Sequence, residues 1–318
     1  MENCRARYLI FFQYLGTKYS GVMKTPPHQP GLGVQNYLEK ALQKLKPENE
    51  ACVYISSRTD TGVHALCNSA HLDLQRRSGM PPFTGEVLAQ ALNFNLKPEP
   101  ISVIGAYRVA DTFHARFRAS ARTYTYRLLT GLSHQRQFPL VERDLCWALQ
   151  NTELNIGAMQ EAMSLLVGNH DFSTFRALNS DMPFKSPVKT LQHARLEPGP
   201  ESFSQRHFNR NLQFWELTFK SPSFLYRQVR RMTGALVAVG QGRLSVSQLQ
   251  ELLEARDSLA YPQNTCAPPT GLFLTSVEYD ESGASATAFT NTAIHATSNK
   301  YNVLSDAQNT FIAMTWQI

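Results

Sequence analysis

The sequence has few cysteines and no long apolar run. Its 318 residues include five cysteines, which are odd in number, scattered and without a CxxC pair. This usage indicates a reducing compartment and argues against a disulfide framework or a zinc site. No apolar run approaches the roughly 18 residues that a membrane-spanning helix needs, so no membrane association is expected. Strand-like residues begin by Tyr8, so no signal peptide is expected, and Arg5 and Arg7 alone are too few to predict a transit peptide.

The charge is basic and unevenly distributed. The net charge is +6 and the isoelectric point is near 9.1. The last 38 residues carry only Lys300 against Glu281 and Asp306, so residues 1–280 carry +7. A basic fold of this size suits a polyanionic partner such as RNA, although many basic proteins bind no nucleic acid.

The first part of the chain predicts alternating strands and helices. Strands are expected at 7–14, 51–57, 68–75 and 101–109 from their β-branched and aromatic content. One helix is indicated by the spacing of Val34, Leu38, Ala41, Leu42 and Leu45, and another opens at Pro81-Pro82 with Val87, Leu88, Ala91 and Leu92 on its apolar face. The order βαββαβ is the ferredoxin-like arrangement.

The pattern repeats in the second part. A strand over 121–129 places Tyr124, Tyr126 and Leu128 on one face. A helix follows over 153–167, capped by Thr152 and ended by Gly168. Further strands are expected near 190–197, 212–220 and 272–277, and helices near 224–239 and 247–255. We therefore predict an α+β fold of two ferredoxin-like halves joined into one mixed, mainly antiparallel sheet with a central cleft.

The predicted division places a first half at 1–115 and a second half at 116–280. Residues 281–318 are rich in Ser, Thr, Ala and Asn and have few charges. They are expected to form a mostly disordered tail.

The stretch Ser57–His64 predicts a polar loop between two strands, where reactive groups are often held. Asp60 in this loop can serve as nucleophile, general base, metal ligand or turn former, and Arg58 nearby favours its ionised form. The alternative is a tight turn with an incidental ion pair. His64 and His71 have no accompanying carboxylate cluster, so no zinc or magnesium site is expected.

Two further stretches interleave arginines with apolar or aromatic residues. In Phe113–Tyr124, Arg116, Arg118 and Arg122 favour phosphate binding beside base stacking, unless the stretch is a solvated basic edge with Phe113 and Phe117 in the core. In 224–232, helical spacing places Arg227, Arg230 and Arg231 on one face, where an RNA phosphate or Asp60 would balance them. The alternative there is a solvent-facing basic helix.

Together these stretches resemble the TruA family of tRNA pseudouridine synthases, and most closely its animal, pseudouridine synthase-like branch. The resemblance spans about residues 7–280 and rests on several motifs in the same order. These are Arg58–Ala65, Phe113–Phe117, Ala121–Tyr124, Gly33–Gln35, Gly168–Phe172, Val229-Arg230 and Gly271–Leu274. Two departures are Thr61, where alanine is usual, and Val22-Met23-Lys24, where a Trp and a Gln are common; the latter leaves the choice of RNA open.

The resemblance implies isomerisation of uridine to pseudouridine without metal or organic cofactor. It implies that Asp60 is the essential carboxylate, that Arg58 and Arg230 keep it ionised, and that Arg58 fills the space left by a flipped-out nucleotide. Tyr124 would stack on the uracil and move a proton. Leu272 and Leu274 would line the uracil pocket. Phosphates would be bound by Arg116, Arg118, Arg122, Arg227 and Arg231.

The resemblance also implies tRNA as the partner, with the anticodon arm as the expected target and other RNA possible. It further suggests a homodimer and a mitochondrial location, with the cytoplasm as the alternative. A different class of function is a catalytically inactive RNA-binding protein or chaperone, since fold does not fix function. That class would not need the set Arg58, Asp60, Tyr124 and Arg230. A metal-dependent nuclease is disfavoured because carboxylate clusters are lacking.

Overall fold

A computed structural model describes residues 5–26, 28–29, 31–50, 52–77, 79–133, 138–178, 186–208 and 210–280. The predicted tail, 281–318, lies outside the described residues. The division into halves at residue 115 stays a prediction. Within the described ranges, no helix is long and apolar enough to cross a membrane.

The first six elements follow the predicted βαββαβ order. They are β1 (Arg5–Tyr14), α1 (Val34–Gln43), β2 (Val53–Ile55), β3 (His64–Gln75), α2 (Gly85–Leu96) and β4 (Ile101–Val109). Strand β3 begins earlier than expected, so His64 belongs to the strand and not to the loop. Helix α2 begins at Gly85 because the Thr84 side chain accepts a hydrogen bond from the Val87 N–H. Val87 itself is exposed, contrary to the predicted apolar face.

The second part contains more elements than predicted. In order they are β5 (Ala119–Leu132), β6 (Trp147–Gln150), α3 (Ile156–Leu165), β7 (Gly168–Asp171), β8 (Val188–Leu191), β9 (His193–Pro198), α4 (Phe203–His207), β10 (Gln213–Ser221), α5 (Gln228–Gly240), α6 (Val246–Ala255) and β11 (Leu272–Tyr279). Asn155, not Thr152, caps α3 by accepting from the Ala158 N–H at 3.0 Å. Helix α5 begins at Gln228 rather than near 224.

One large sheet carries both halves, in the order β4-β1-β3-β11-β5-β10-β9, with β2 added to β3 and β6 added to β5. Its pairings are antiparallel except for β3 with β11 and β5 with β6. This confirms the α+β fold with a mixed, mainly antiparallel sheet.

The two halves meet along one edge of β3. Strand β2 pairs with Ala70, His71 and Leu72 at the far end of that edge, whereas β11 pairs with His64 and Ala65 at the near end. The loop 56–63 leaves β2 and returns into β3 between these two pairings. The topology therefore places the Asp60 loop at the junction of the halves.

Both faces of the sheet are covered along β1. Tyr8, Ile10 and Phe12 are fully buried in the main core, which is shared with the helices. Leu9 and Phe11 alternate to the opposite face and pack in a smaller cluster with Phe113 and Ala115. Burial on both faces explains why β1 is almost continuously apolar. It also fixes the segment that precedes β5 against the sheet.

Candidate active site

The Asp60 loop is held by backbone contacts with the segment after β1. The Val22 N–H donates to the Thr59 carbonyl at 3.3 Å, and the Gly62 N–H donates to the Tyr19 carbonyl at 3.4 Å. Gly21 has a φ of +105°, and a Cβ there would lie 2.6 Å from the Thr59 carbonyl oxygen. The close approach of the two backbones therefore requires glycine at this position.

Asp60 forms an ion pair with Arg230 from α5. Arg230 Nη1 lies 3.1 Å from Asp60 Oδ2, and the two side chains are 12% and 22% exposed. The pair is thus partly desolvated but still reached by water. Arg230 is fixed independently, since its Nε donates to the Ala267 carbonyl at 2.8 Å and its own carbonyl accepts from the Ala267 N–H. A positioned cation therefore holds one carboxylate oxygen and leaves part of the group open.

Arg58 does not take the predicted place beside the carboxylate. Its side chain is exposed and forms no ion pair with Asp60 or any other acid among the described residues. The expected pair of guanidinium groups around Asp60 is therefore reduced to Arg230. The backbone of Arg58 does contribute, because its carbonyl accepts a 3.4 Å hydrogen bond from the Tyr124 hydroxyl.

Tyr124 lies in β5 with its ring almost fully buried. The ring meets Phe224 edge-on, with centroids 5.2 Å apart. Burial, together with the nearby Tyr14 and the charge of Asp60, raises the pKa of Tyr124 well above its ordinary value. The phenol is therefore protonated at neutral pH. Tyr124 thus contacts the Asp60 loop from the sheet side through its hydroxyl.

Leu272 and Leu274 lie in β11 directly opposite the tyrosines of β5. Leu274 pairs with Tyr124 and Leu272 pairs with Tyr126. Leu274 is fully buried and Leu272 is 5% exposed. Residues paired across an antiparallel ladder share a face, so these leucines lie beside Tyr124 and Tyr126 on the same face of the sheet.

Sequence reasoning missed the polar contacts beneath the loop. The Tyr14 and Thr59 hydroxyls lie 2.8 Å apart, and Asn68 Nδ2 donates to the Ser57 carbonyl at 2.9 Å. Burial raises the pKa of Tyr14 to about 12. Both contacts hold the segment that directly precedes Asp60. The sequence signal was only a tyrosine at the end of an apolar strand, which has no specific meaning.

His64 has a structural place. Its Nδ1 accepts from the Gly16 N–H at 3.0 Å, so the ring proton lies on Nε2, which donates to the Asp144 carbonyl at 2.8 Å. The ring stacks on Phe273 at 4.6 Å. Burial lowers the pKa of His64, which keeps the imidazole neutral. In the described part of the chain, no three His, Cys, Asp or Glu side chains converge to form a metal site.

Two of the predicted phosphate-binding arginines are used inside the fold. Arg122 donates to the carbonyls of Arg116, Ala119 and Pro222, and to Ser57 Oγ. Its guanidinium therefore braces three loops around the site and has few donors left for phosphate.

Arg231 is the second predicted phosphate-binding arginine whose side chain is used inside the fold. It donates to the carbonyls of Thr174, Arg176 and Ser258 and stacks over the Tyr261 ring at 4.2 Å. Tyr261 in turn donates its hydroxyl to the Arg231 carbonyl at 2.7 Å. This arrangement corrects the phosphate-binding prediction for Arg231, because the guanidinium is satisfied by backbone oxygens.

The remaining predicted cations reach the surface. Arg118 and Arg227 are exposed, Arg116 is half-buried, and none of the three forms an ion pair with a described acid. Arg227 is not on the helix face with Arg230, since it precedes α5 in a left-handed conformation with a φ of +56°. The shared arginine face predicted from i, i+3, i+4 spacing is therefore wrong for Arg227.

The segment 22–24, which differs from the usual family sequence, is held against α1. Val22 is fully buried, and Lys24 Nζ lies 2.7 Å from Glu39 Oε2. Glu39 also accepts from Gln35, whose amide donates to the Val53 carbonyl.

A cavity of about 300 Å³ lies apart from the candidate site. It is lined by residues of β7 and α6 such as His170 and Glu254, and none of the site residues lines it.

The chain is similar in sequence to known proteins. A family model described as tRNA pseudouridine synthase matches residues 10–118 and 162–280. Among vertebrate proteins, the chain is 56% identical over 280 residues to tRNA pseudouridine synthase-like 1 of Xenopus laevis, covering 88% of this chain and 93% of that protein. It is 51% identical over 285 residues to tRNA pseudouridine synthase-like 1 of Homo sapiens, covering 89% and 93%.

Bacterial proteins match over a similar span. The chain is 38% identical over 278 residues to tRNA pseudouridine synthase A of Jannaschia sp. (strain CCS1), covering 86% of this chain and 95% of that protein. The similarity therefore includes both halves of the sheet and the Asp60 loop at their junction.

Proposed function

Because the chain belongs to the tRNA pseudouridine synthase family, we propose that it isomerises a uridine of tRNA to pseudouridine with Asp60 as the essential carboxylate. The observation that supports this role is the contact of Asp60 with Arg230 at 3.1 Å in a loop that water still reaches. An anion fixed at a water-accessible junction can approach a sugar carbon, whereas a carboxylate sealed in the core cannot.

The reaction is an isomerisation without net oxidation or reduction. The N1–C1′ bond breaks, the base turns, and C5 forms a bond to C1′. The proton on C5 is lost and N1 gains a proton. As the N1–C1′ bond breaks, C1′ becomes electron-poor, and a nearby carboxylate stabilises it either by attack or by electrostatic interaction. Both routes require Asp60 to be an anion.

Arg230 supplies the conditions for that anion. Its contact with Oδ2 compensates the partial burial of Asp60, since an unpaired charge out of water is costly. The second contact, with the Ala267 carbonyl, prevents the guanidinium from following the carboxylate when substrate enters. Arg230 thereby orients the carboxylate while the other oxygen remains for the sugar.

Tyr124 provides an aromatic ring beside the loop for the uracil. Leu272 and Leu274 are buried on the same face of the sheet as that ring. The protonated hydroxyl can donate a proton or relay the one lost from C5. In this proposal Arg58, which is exposed two residues from Asp60, occupies the space left when a nucleotide leaves its stack, an extrusion that costs a few kcal/mol.

The tRNA backbone is bound in this proposal by Arg116, Arg118 and Arg227, because their side chains form no ion pair with the described acids. Arg122 and Arg231 hold backbone carbonyls of the fold in place and are not assigned to phosphates. An anticodon-arm uridine, a homodimeric assembly and a mitochondrial location are further proposals that rest on the resemblance to the animal branch. Imaging of the tagged full chain would test the location, and light scattering of the purified protein would test the assembly.

Release of tritium from tRNA transcripts made with 5-tritiated uridine tests the activity directly, because the C5 proton is lost to water. We expect release in molar amounts that match one modified position per tRNA. Sequencing after chemical tagging of pseudouridine would locate it, with the anticodon arm expected. Tight tRNA binding without tritium release would contradict the proposal and favour a catalytically inactive RNA-binding protein.

A further inference from the structure

Four aromatic rings contact one another in series beside the junction of the halves, the first pair nearly parallel and the next two pairs tilted by 58° and 35°. Tyr54 and His71 are parallel, with centroids 4.7 Å apart. His71 and His114 follow at 4.5 Å, and His114 and Phe117 at 4.3 Å. His71 is buried, whereas Phe117 at the outer end is 76% exposed. This aromatic stack of Tyr54, His71, His114 and Phe117 thus reaches the surface at both ends, since Tyr54 is 49% exposed.

The stack is held rigidly by the backbone that carries it. His71 Nδ1 accepts from the Ala115 N–H, and His114 Nδ1 accepts from the Arg116 N–H, both at 3.2 Å. The Arg118 N–H closes a helical turn on the His114 carbonyl at 3.0 Å. Tyr279 donates its hydroxyl to the Ala115 carbonyl at 2.8 Å. The exposed Phe117 ring is therefore presented by a fixed turn and not by a loose one.

The surroundings of the exposed ring are cationic. Arg116 and Arg118 flank it in sequence, and neither forms an ion pair with a described acid. The nearby carboxylate of Asp73 is already paired with Arg5 and Arg7. Burial lowers the pKa of both His71 and His114, so the rings beneath are neutral at pH 7. The Arg116 guanidinium also lies over the Phe117 ring, 5.8 Å from its centroid. An exposed aromatic ring beside cations that have no acidic partner favours a polyanion that also carries flat rings.

The turn that carries Phe117 is connected to the Asp60 loop through one side chain. Arg122 donates from Nη2 to the Arg116 carbonyl at 2.9 Å and from Nε to Ser57 Oγ at 3.3 Å. Ser57 lies three residues before Asp60. Arg122 thus links the turn that carries Phe117 to the segment that leads into the Asp60 loop.

We propose that Phe117 is a stacking platform for an unpaired base of the RNA outside the reacting uridine, with Arg116 and Arg118 binding the adjacent phosphates. This inference rests on the proposed function for its choice of RNA. It assigns to the aromatic stack a contribution to RNA affinity and none to the bond-breaking step.

The test compares two equally exposed phenylalanines. Phe94, on α2, is also 76% exposed and has no arginine beside it in the sequence, so Phe94→Ala is the matched control. The dissociation constant for an unmodified tRNA transcript would be measured by fluorescence anisotropy. Phe117→Ala is expected to raise it about tenfold, since stacking on one base commonly contributes that much. Phe94→Ala should stay within about twofold of wild type.

Two further measurements separate stacking from other causes. Phe117→Trp should restore affinity because it restores a flat ring. The slope of log affinity against log salt should be unchanged in Phe117→Ala, and it should fall by about one in Arg118→Ala because one phosphate contact is lost. Phe94→Ala should also keep the wild-type single-turnover rate at saturating protein.

Equal losses in Phe117→Ala and Phe94→Ala, or no loss in either, would overturn the proposal. So would a change in oligomeric state with unchanged RNA affinity, which would make the patch an interface between copies of the chain. Because the readout is RNA affinity, it is independent of catalysis. A wild-type chain that binds tRNA through Phe117 but forms no pseudouridine would overturn the proposed function and leave this inference intact.

Discussion

Asp60 and Arg230 are 170 residues apart in the sequence and 3.1 Å apart in the fold. Asp60 lies between β2 and β3, and Arg230 lies in the first turn of α5, so their contact forms only when the halves of the sheet are joined. The joining pair of strands, β3 and β11, is short, with two registered residues on each side. The candidate active site is therefore also a contact that fixes one half against the other.

Replacing Arg230 by lysine should slow the reaction without preventing folding. Lysine keeps the positive charge but cannot contact Asp60 and the Ala267 carbonyl at once, because it lacks the guanidinium fork. Loss of one charge-assisted hydrogen bond is about 1.5–3 kcal/mol, so we expect a single-turnover rate about 10–100-fold lower. Arg256→Lys, at the exposed residue that ends α6, is the control and should react at the wild-type rate when protein is saturating. Equal rates in both variants would contradict the positioning role of Arg230.

Tyr124→Phe separates the ring from its hydroxyl. Phenylalanine keeps the edge-on contact with Phe224 and the packing on Leu274. If the hydroxyl moves a proton, single-turnover pseudouridine formation should fall about 100-fold, the lower range for general acid–base catalysis, while tRNA affinity stays unchanged. A wild-type rate in Tyr124→Phe would exclude a proton-transfer role and leave stacking as the function of the ring.

Arg231 and Arg118 should differ in their effect on stability. Replacing Arg231 by methionine leaves the carbonyls of Thr174 and Arg176 without their donor. We expect the free energy of unfolding to fall by about 3 kcal/mol, within the range for lost buried hydrogen bonds to a charged group. Arg118→Met is exposed and should stay within about 0.5 kcal/mol. Urea unfolding followed by circular dichroism measures both, and equal stabilities would show that Arg231 is not an internal brace.

Stability should fall in mild acid because of His71. Burial lowers the pKa of His71 to about 4, whereas an unfolded histidine titrates near 6.5. At pH 7 the His71 imidazole is neutral in both the folded and the unfolded chain. At pH 5 it is protonated in the unfolded chain but not in the folded chain, which favours unfolding by about 2 kcal/mol. His71→Asn removes this contribution. The stability difference between wild type and His71→Asn should therefore shrink by about 2 kcal/mol from pH 7 to pH 5, as measured by urea unfolding. A difference that does not change with pH would refute the assignment.

Local sequence patterns predicted most of the fold. The strand expected at 101–109 matches β4, and the βαββαβ order of the first half is as predicted, because hydrophobic periodicity is set by which face of each element is buried. Helix starts were less predictable. Thr152 and Asn155 are both good N-caps, and only the packing of α3 decides between them.

The arginines show the limit of the sequence more clearly. Arg122 and Arg231 look like phosphate ligands in sequence, but in the fold they bind carbonyls brought close by distant loops. Arg227 adopts a left-handed conformation that its helical spacing gave no reason to expect. Asp60, Tyr124 and Arg230 were identified because several motifs pointed to them together. Contacts such as Tyr14 with Thr59 carry no local signal and required the structure.

The charge of Asp60 is the central claim, and Asp60→Asn tests it most directly. Asparagine has nearly the same size and can still accept a hydrogen bond from Arg230, so the loop should keep its shape. Asp111→Asn, in an exposed turn, is the matched control. The measurement is single-turnover tritium release from 5-tritiated uridine in tRNA at saturating protein. We predict no detectable release with Asp60→Asn, tRNA affinity within about threefold of wild type, and normal release with Asp111→Asn. Release by Asp60→Asn at a rate near that of wild type would contradict the account.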